Sequence, residues 1–131
     1  MKKVLILCTG NSCRSIIAEA ILNANGIEAY SSGVKASGRV NLNAKKVLQE
    51  NGIWKDEYHS KKLDEVMDID FDLVVTVCDN AKETCPVFLK KTKTIHIPFI
   101  DPDGKEYSEF VKTYQEIKEI LLPKVVNLLS L

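Results

Sequence analysis

Two stretches of the chain are almost continuously apolar, Lys3 to Cys8 (KVLILC) and Phe71 to Cys78 (FDLVVTVC). Short runs without alternation suit strands covered on both faces, as in the middle of a parallel sheet. Glu28 to Ser31 and Thr94 to Phe99 are shorter and more polar, which fits edge strands. Between these runs the apolar spacing becomes helical. Ser15 to Asn25 carries Ile17, Ala18, Ile21 and Leu22 on one face and meets Gly26, a helix-stopping residue. Asn41 to Asn51 has Asn41 or Asn43 as cap, Ala44, Val47 and Leu48 inward, and Gly52 at its end, which predicts a second helix. Lys62 to Met67 allows a short helix. Phe110, Tyr114, Ile117, Leu121, Val125 and Leu128 recur every three or four positions and predict a long amphipathic helix that Pro123 bends or restarts.

Strand and helix alternate throughout, which specifies a doubly wound α/β sheet with right-handed crossovers. Ligands of such sheets sit at the carboxyl ends of strands where the strand order reverses. Cys8 and Cys78 both end apolar runs.

With 131 residues the chain holds enough for one core, so residues 1–131 are read as a single domain. The formal net charge is zero and the basic residues form no long block, which argues against nucleic acid or an anionic membrane as partner. The apolar stretch Val4 to Cys8 after two lysines is far too short for a signal-peptide core or a membrane span, so a cytoplasmic protein is expected. Four cysteines in such a chain are expected as free thiols rather than a disulfide framework. Neither Cys8 with Cys13 nor Cys78 with Cys85 has the spacing usual in structural zinc sites, and no metal is expected.

The segment CTGNSCRS, Cys8 to Ser15, joins the first strand to the first helix. A loop so placed aims backbone N–H groups inward and adds the positive end of the helix, which suits an oxyanion. Gly10 lets the backbone curl, and Arg14 offers a planar fork for two oxygens of a tetrahedral anion. The same field favours a thiolate at Cys8. One loop thus combines a nucleophile with an anion cradle.

This loop, CTGNSCRSIIAEA, resembles the phosphate loop of the low-molecular-weight tyrosine phosphatases and of the thioredoxin-coupled arsenate reductases that share their fold. The resemblance implies a three-layer α/β fold with a four-stranded parallel sheet in the order 2-1-3-4. It makes Cys8 the attacking nucleophile and Arg14 the oxyanion clamp. Thr9, Gly10, Asn11, Ser12, Cys13, Arg14 and Ser15 line the substrate, with Ser15 bonding the thiolate and Asn11 shaping the loop. Cys13 occurs in both groups and is read as packing or loop shaping. The likeness continues through YSSG at Tyr30 to Gly33 and DPDGKEYSEF from Asp101.

The stretch VTVCDNAKETCP separates the two chemistries. If the first and third strands are neighbours, their ends lie about 4.8 Å apart, within the reach of a disulfide. Cys78 can then meet Cys8, and Cys85 can meet Cys78 if its segment rearranges. The arsenate reductases carry this Cys-x6-Cys-Pro arrangement, which a phosphatase does not need. Asp101, before Pro102, points a carboxylate from a rigid turn toward the loop, and in both groups this aspartate is the general acid or its equivalent. Asp103 stands where the phosphatases place an aromatic residue. The resemblance therefore implies arsenate reduction by a relay through Cys8, Cys78 and Cys85, reset by thioredoxin, in a monomer with no resident cofactor. A phosphatase with spare thiols and a non-catalytic redox-sensing module are the rival readings.

Some of these reductases bind potassium near the loop through an asparagine, a glutamate, a serine and an aspartate. Asn11, Glu19 and Ser31 match the first three, but Lys62 stands at the fourth, and an ammonium there takes the place of the cation, so no potassium site is expected. Glu19 is then either a support for the loop or an ordinary helical charge. His59 and His96 are expected to have structural or surface roles rather than to act as the base.

Overall fold

The computed structural model describes residues 2–78 and 92–130. Cys85 lies outside the described residues. The sheet consists of β1 (Lys3–Cys8), β2 (Glu28–Gly33), β3 (Leu73–Thr76) and β4 (Thr94–His96), all parallel, in the order β2-β1-β3-β4. Every residue from Val4 to Cys8 and from Leu73 to Thr76 is buried, so the two central strands are covered on both faces. This is the three-layer arrangement that their unbroken apolar runs imply. β3 stops two residues short of Cys78, but its ladder does not: Val77 N donates to Leu7 O and Phe99 N to Val77 O. Cys78 is therefore held beside the end of β1.

Helix α1 (Arg14–Ala24) starts directly at the loop and is buried from Ser15 to Leu22. Helix α2 (Leu42–Glu50) is capped by Asn41, whose side chain accepts from the N–H groups of Asn43 and Ala44. The short helix that Lys62 to Met67 allows forms as a single 3-10 turn, Leu63–Glu65. The C-terminal segment is not one continuous α-helix. It runs as α3 (Tyr107–Glu116), a π-helical turn (Ile117–Leu121) and α4 (Leu122–Leu128). Pro123 has no N–H to give to the carbonyl four residues back, and the turn before it takes up the missing register with a bond from Leu122 N to Ile117 O. No helix among the described residues is long and apolar enough to cross a membrane.

The strand order reverses between β2 and β3, on either side of β1. The carboxyl ends of β1 and β3 accordingly frame a crevice, and the loop from Cys8 to Arg14 fills its floor.

Candidate active site

The loop is built by turning its carbonyls outward. Cys8 O, Thr9 O, Gly10 O and Ser12 O accept from the N–H groups of Val34, Lys35, Ser37 and Asn41, each at 2.9 Å. In a trans peptide the following N–H points the opposite way, so the amides of Thr9, Gly10, Asn11 and Cys13 face the inside of the cup. The start of α1 adds its positive end there. That arrangement suits a tetrahedral anion.

Gly33 allows the close packing this requires. A Cβ at that position would lie 2.5 Å from Thr9 O and 3.0 Å from Ala36 Cα, both backbone atoms that cannot swing aside. Asn11 supplies the second constraint. It adopts φ 50, a left-handed conformation costly for most side chains, and its own side chain holds it there. Asn11 Nδ2 donates to Ser15 Oγ at 2.7 Å and to Ser31 Oγ at 2.9 Å, while Lys61 N donates to Asn11 Oδ1 at 2.6 Å. Ser15 is thus bonded to Asn11, and among the described residues no hydrogen bond joins it to Cys8.

Cys8 and Cys78 are both buried, and the Val77 N–H bond to Leu7 O sets Cys78 beside the end of β1, where its side chain acts on the Cys8 thiol. Thr9 Oγ1 is 3.1 Å from Cys78 Sγ. The Cys78 side chain, and then burial, push the Cys8 thiol far above its ordinary value, while the Arg14 guanidinium and the Thr9 N–H pull it down. The loop field thus acts in the direction expected for a Cys8 thiolate, and the neighbouring sulfur opposes it. Burial also pushes Cys13 up to about 11, against the pull of the Ser12 hydroxyl.

Arg14 closes the cup. Its Nη1 donates to Phe99 O at 2.9 Å and its Nη2 lies 3.5 Å from Asp101 Oδ2. Asp103 N in turn donates to Asp101 Oδ1 at 3.0 Å, and Asn41 Nδ2 donates to Asp103 Oδ1 at 2.8 Å. The helix cap of α2 therefore also steadies the turn that carries Asp101. His96 Nδ1 is bonded to Thr76 Oγ1 and His59 Nε2 to Glu65.

One expectation is overturned. Lys62 is exposed, and the ammonium beside Glu19 is that of Lys61, at 3.2 Å. Gly33 pairs with Lys62 as an isolated parallel bridge, and Gly33 N bonds Lys61 O, so the two lysines alternate about a short extended segment: Lys61 turns inward and Lys62 outward. Glu19 is buried and accepts from Ser31 Oγ at 2.6 Å, which makes it a support of the loop rather than a solvated helical charge. Neither the packing of Gly33 nor the inward turn of Lys61 was read from the residues themselves. The glycine ending YSSG was the available signal for the first.

Residues 3–123 match the family described as low molecular weight phosphotyrosine protein phosphatase. Arsenate reductase 1 of Staphylococcus epidermidis is 38% identical over 120 residues, covering 89% of this chain and 90% of that protein. The crystal structure of arsenate reductase from Archaeoglobus fulgidus superposes with a TM-score of 0.75 at 35% identity, covering 88% of this chain and 93% of that one. The YwlE arginine phosphatase from Geobacillus stearothermophilus superposes with a TM-score of 0.79 at 28% identity, covering 99% and 94%.

Proposed function

The chain belongs to the low molecular weight phosphotyrosine protein phosphatase family, and from that premise we propose that it reduces arsenate to arsenite in arsenic detoxification. The observation that carries this reading is the second sulfur: Cys78 stands just past the end of β3 beside β1, its Sγ 3.1 Å from Oγ1 of Thr9, the residue next to the nucleophile Cys8, where a hydrolase has no use for it. The relatives named arsenate reductase support it.

The inward amides of the loop and Arg14 bind arsenate, and Cys8 Sγ attacks arsenic. A sulfur–arsenic bond forms, an arsenic–oxygen bond breaks, and the departing hydroxide leaves as water with a proton passed by Asp101. Cys78 Sγ then attacks Cys8 Sγ. The sulfur–sulfur bond forms as the sulfur–arsenic bond breaks, its electron pair goes to arsenic, and arsenite departs. Arsenic gains two electrons and the two thiols lose them. Cys85 next attacks Cys78, releasing Cys8 as a thiolate and leaving a Cys78–Cys85 disulfide. A thioredoxin-type dithiol reduces that disulfide and resets the enzyme. Residues 1–131 act in this account as one domain, a cytoplasmic monomer without a resident cofactor.

A second reading, phosphate ester hydrolysis, is favoured by the Arg14–Asp101 pair at 3.5 Å and by the likeness to an arginine phosphatase. The same cup and acid can serve both, and a slow phosphatase activity is expected beside the reductase. Arsenate-dependent NADPH oxidation with thioredoxin and thioredoxin reductase separates them. Cys78→Ser and Cys85→Ser should abolish it and leave phosphate ester hydrolysis in place. Reductase activity that survives both substitutions overturns the relay, and no arsenate turnover by the wild type, with ester hydrolysis present, assigns the chain to hydrolysis.

A further inference from the structure

The most buried ion pair among the described residues lies one turn along α1 from the loop: Lys61 Nζ and Glu19 Oε1, 3.2 Å apart, with side chains 9% and 7% exposed. Two routes tie it to Asn11. Glu19 holds Ser31 Oγ, which accepts from Asn11 Nδ2, and the Lys61 backbone N–H bonds Asn11 Oδ1. A carboxylate buried behind an anion cup without a counter-ion is doubly unfavourable, because it is desolvated and it repels the guest.

We propose that Lys61 is a positioning residue whose ammonium serves as a built-in monovalent cation, neutralising Glu19 and holding Asn11 and the oxyanion loop in the anion-binding geometry without a metal ion. The residues that the resemblance would assign to potassium do not fit it here. Lys61 Nζ donates to His59 O at 2.9 Å as well as to Glu19, so it stands among the oxygens a cation needs. A second cation there would share one carboxylate with a fixed positive charge.

Removing the ammonium reopens the place. A cavity of about 450 Å³ lies against the pair, lined by Glu19, Tyr58, His59, Lys61 and Glu65. The His59 and Glu65 side chains are exposed, so a small cation can enter from solvent.

The inference rests on the reading of the loop as an oxyanion cradle, and its test uses inorganic phosphate binding as well as turnover. Phosphate affinity and arsenate reduction are measured at equal ionic strength in potassium, sodium and tetramethylammonium chloride. The wild type is expected to be indifferent to the cation. Lys61→Met should bind phosphate ~10-fold more weakly in tetramethylammonium, the lower end of the range for loss of a supporting partner, and recover in potassium. Lys62→Met should behave as wild type, and Glu19→Gln with Lys61→Met should lose the cation dependence. Lys61→Met with unchanged phosphate affinity in tetramethylammonium, or with a loss that potassium does not repair, overturns the proposal. If that variant does not fold, the wild type decides: phosphate affinity that falls when tetramethylammonium replaces potassium overturns it, and indifference supports it. A wild type that binds no phosphate in any salt overturns the cradle reading and this inference with it, whereas bound phosphate without arsenate turnover removes only the reductase reading.

Discussion

Thr9 Oγ1 stands 3.1 Å from Cys78 Sγ, so the residue that follows the first sulfur in the chain also touches the second. When Cys78 ionises, only the hydroxyl has a proton to give. In the proposed relay Thr9 would then donate to the sulfur as it becomes the nucleophile, so that the loop proposed to bind the anion would also prepare the attack upon its adduct.

Thr9→Val removes that donor while keeping the shape of the side chain. Hydrogen bonds to charged groups contribute about 1.5–3 kcal/mol, so arsenite release should slow by roughly 10-fold or more. Phosphate ester hydrolysis, which does not use Cys78, should change little. Parallel assays of the two activities check this.

Gly33→Ala places a methyl 2.5 Å from Thr9 O and 3.0 Å from Ala36 Cα. The loop or β2 must shift, and overpacking of this kind costs about 1–3 kcal/mol. A lower Tm with a raised KM for arsenate is expected, measured by thermal unfolding and steady-state kinetics.

The Cys78 side chain is the largest influence pushing the Cys8 thiol up, with Arg14 and the Thr9 N–H opposing. Cys78→Ala removes it. Cys8 should then ionise at lower pH, and the rise of its iodoacetamide alkylation rate with pH should move toward acid. An unmoved profile would show that burial alone holds the proton.

Cys13 makes a stability prediction. Its thiol is raised from 9.0 to about 11 in the folded protein, so the folded state keeps a proton that the unfolded chain releases. The sign follows: this contribution is complete below pH 9 and is lost as the pH rises toward 11. A two-unit shift corresponds to about 2–3 kcal/mol. Urea unfolding across that range should show a steeper loss of stability for wild type than for Cys13→Ala.

The central strands were legible because burial on both faces removes alternation, leaving KVLILC and FDLVVTVC as bare apolar runs. The loop was legible because its chemistry is written in consecutive residues. What escaped depends on contacts between distant segments. Nothing local in HSKK says which lysine turns inward; the bridge from Gly33 to Lys62 decides it, and that pairing spans the chain from β2 to the segment before β3. The spacing of CTGNSCRS likewise shows an anion loop but not the neighbouring sulfur that pushes the Cys8 thiol up. The π-helical turn was hidden because Pro123 announces a break without saying that one turn upstream absorbs it.

The central claim is that the sulfur beside the cup takes the oxidation from the first. Its most direct measurement is a quenched single turnover with arsenate and no external reductant, counting arsenite and remaining free thiols in wild type and Cys78→Ser. The account predicts one arsenite per wild-type chain with the loss of two of its four thiols, and none from the variant. Arsenite released in equal amount by Cys78→Ser would contradict it.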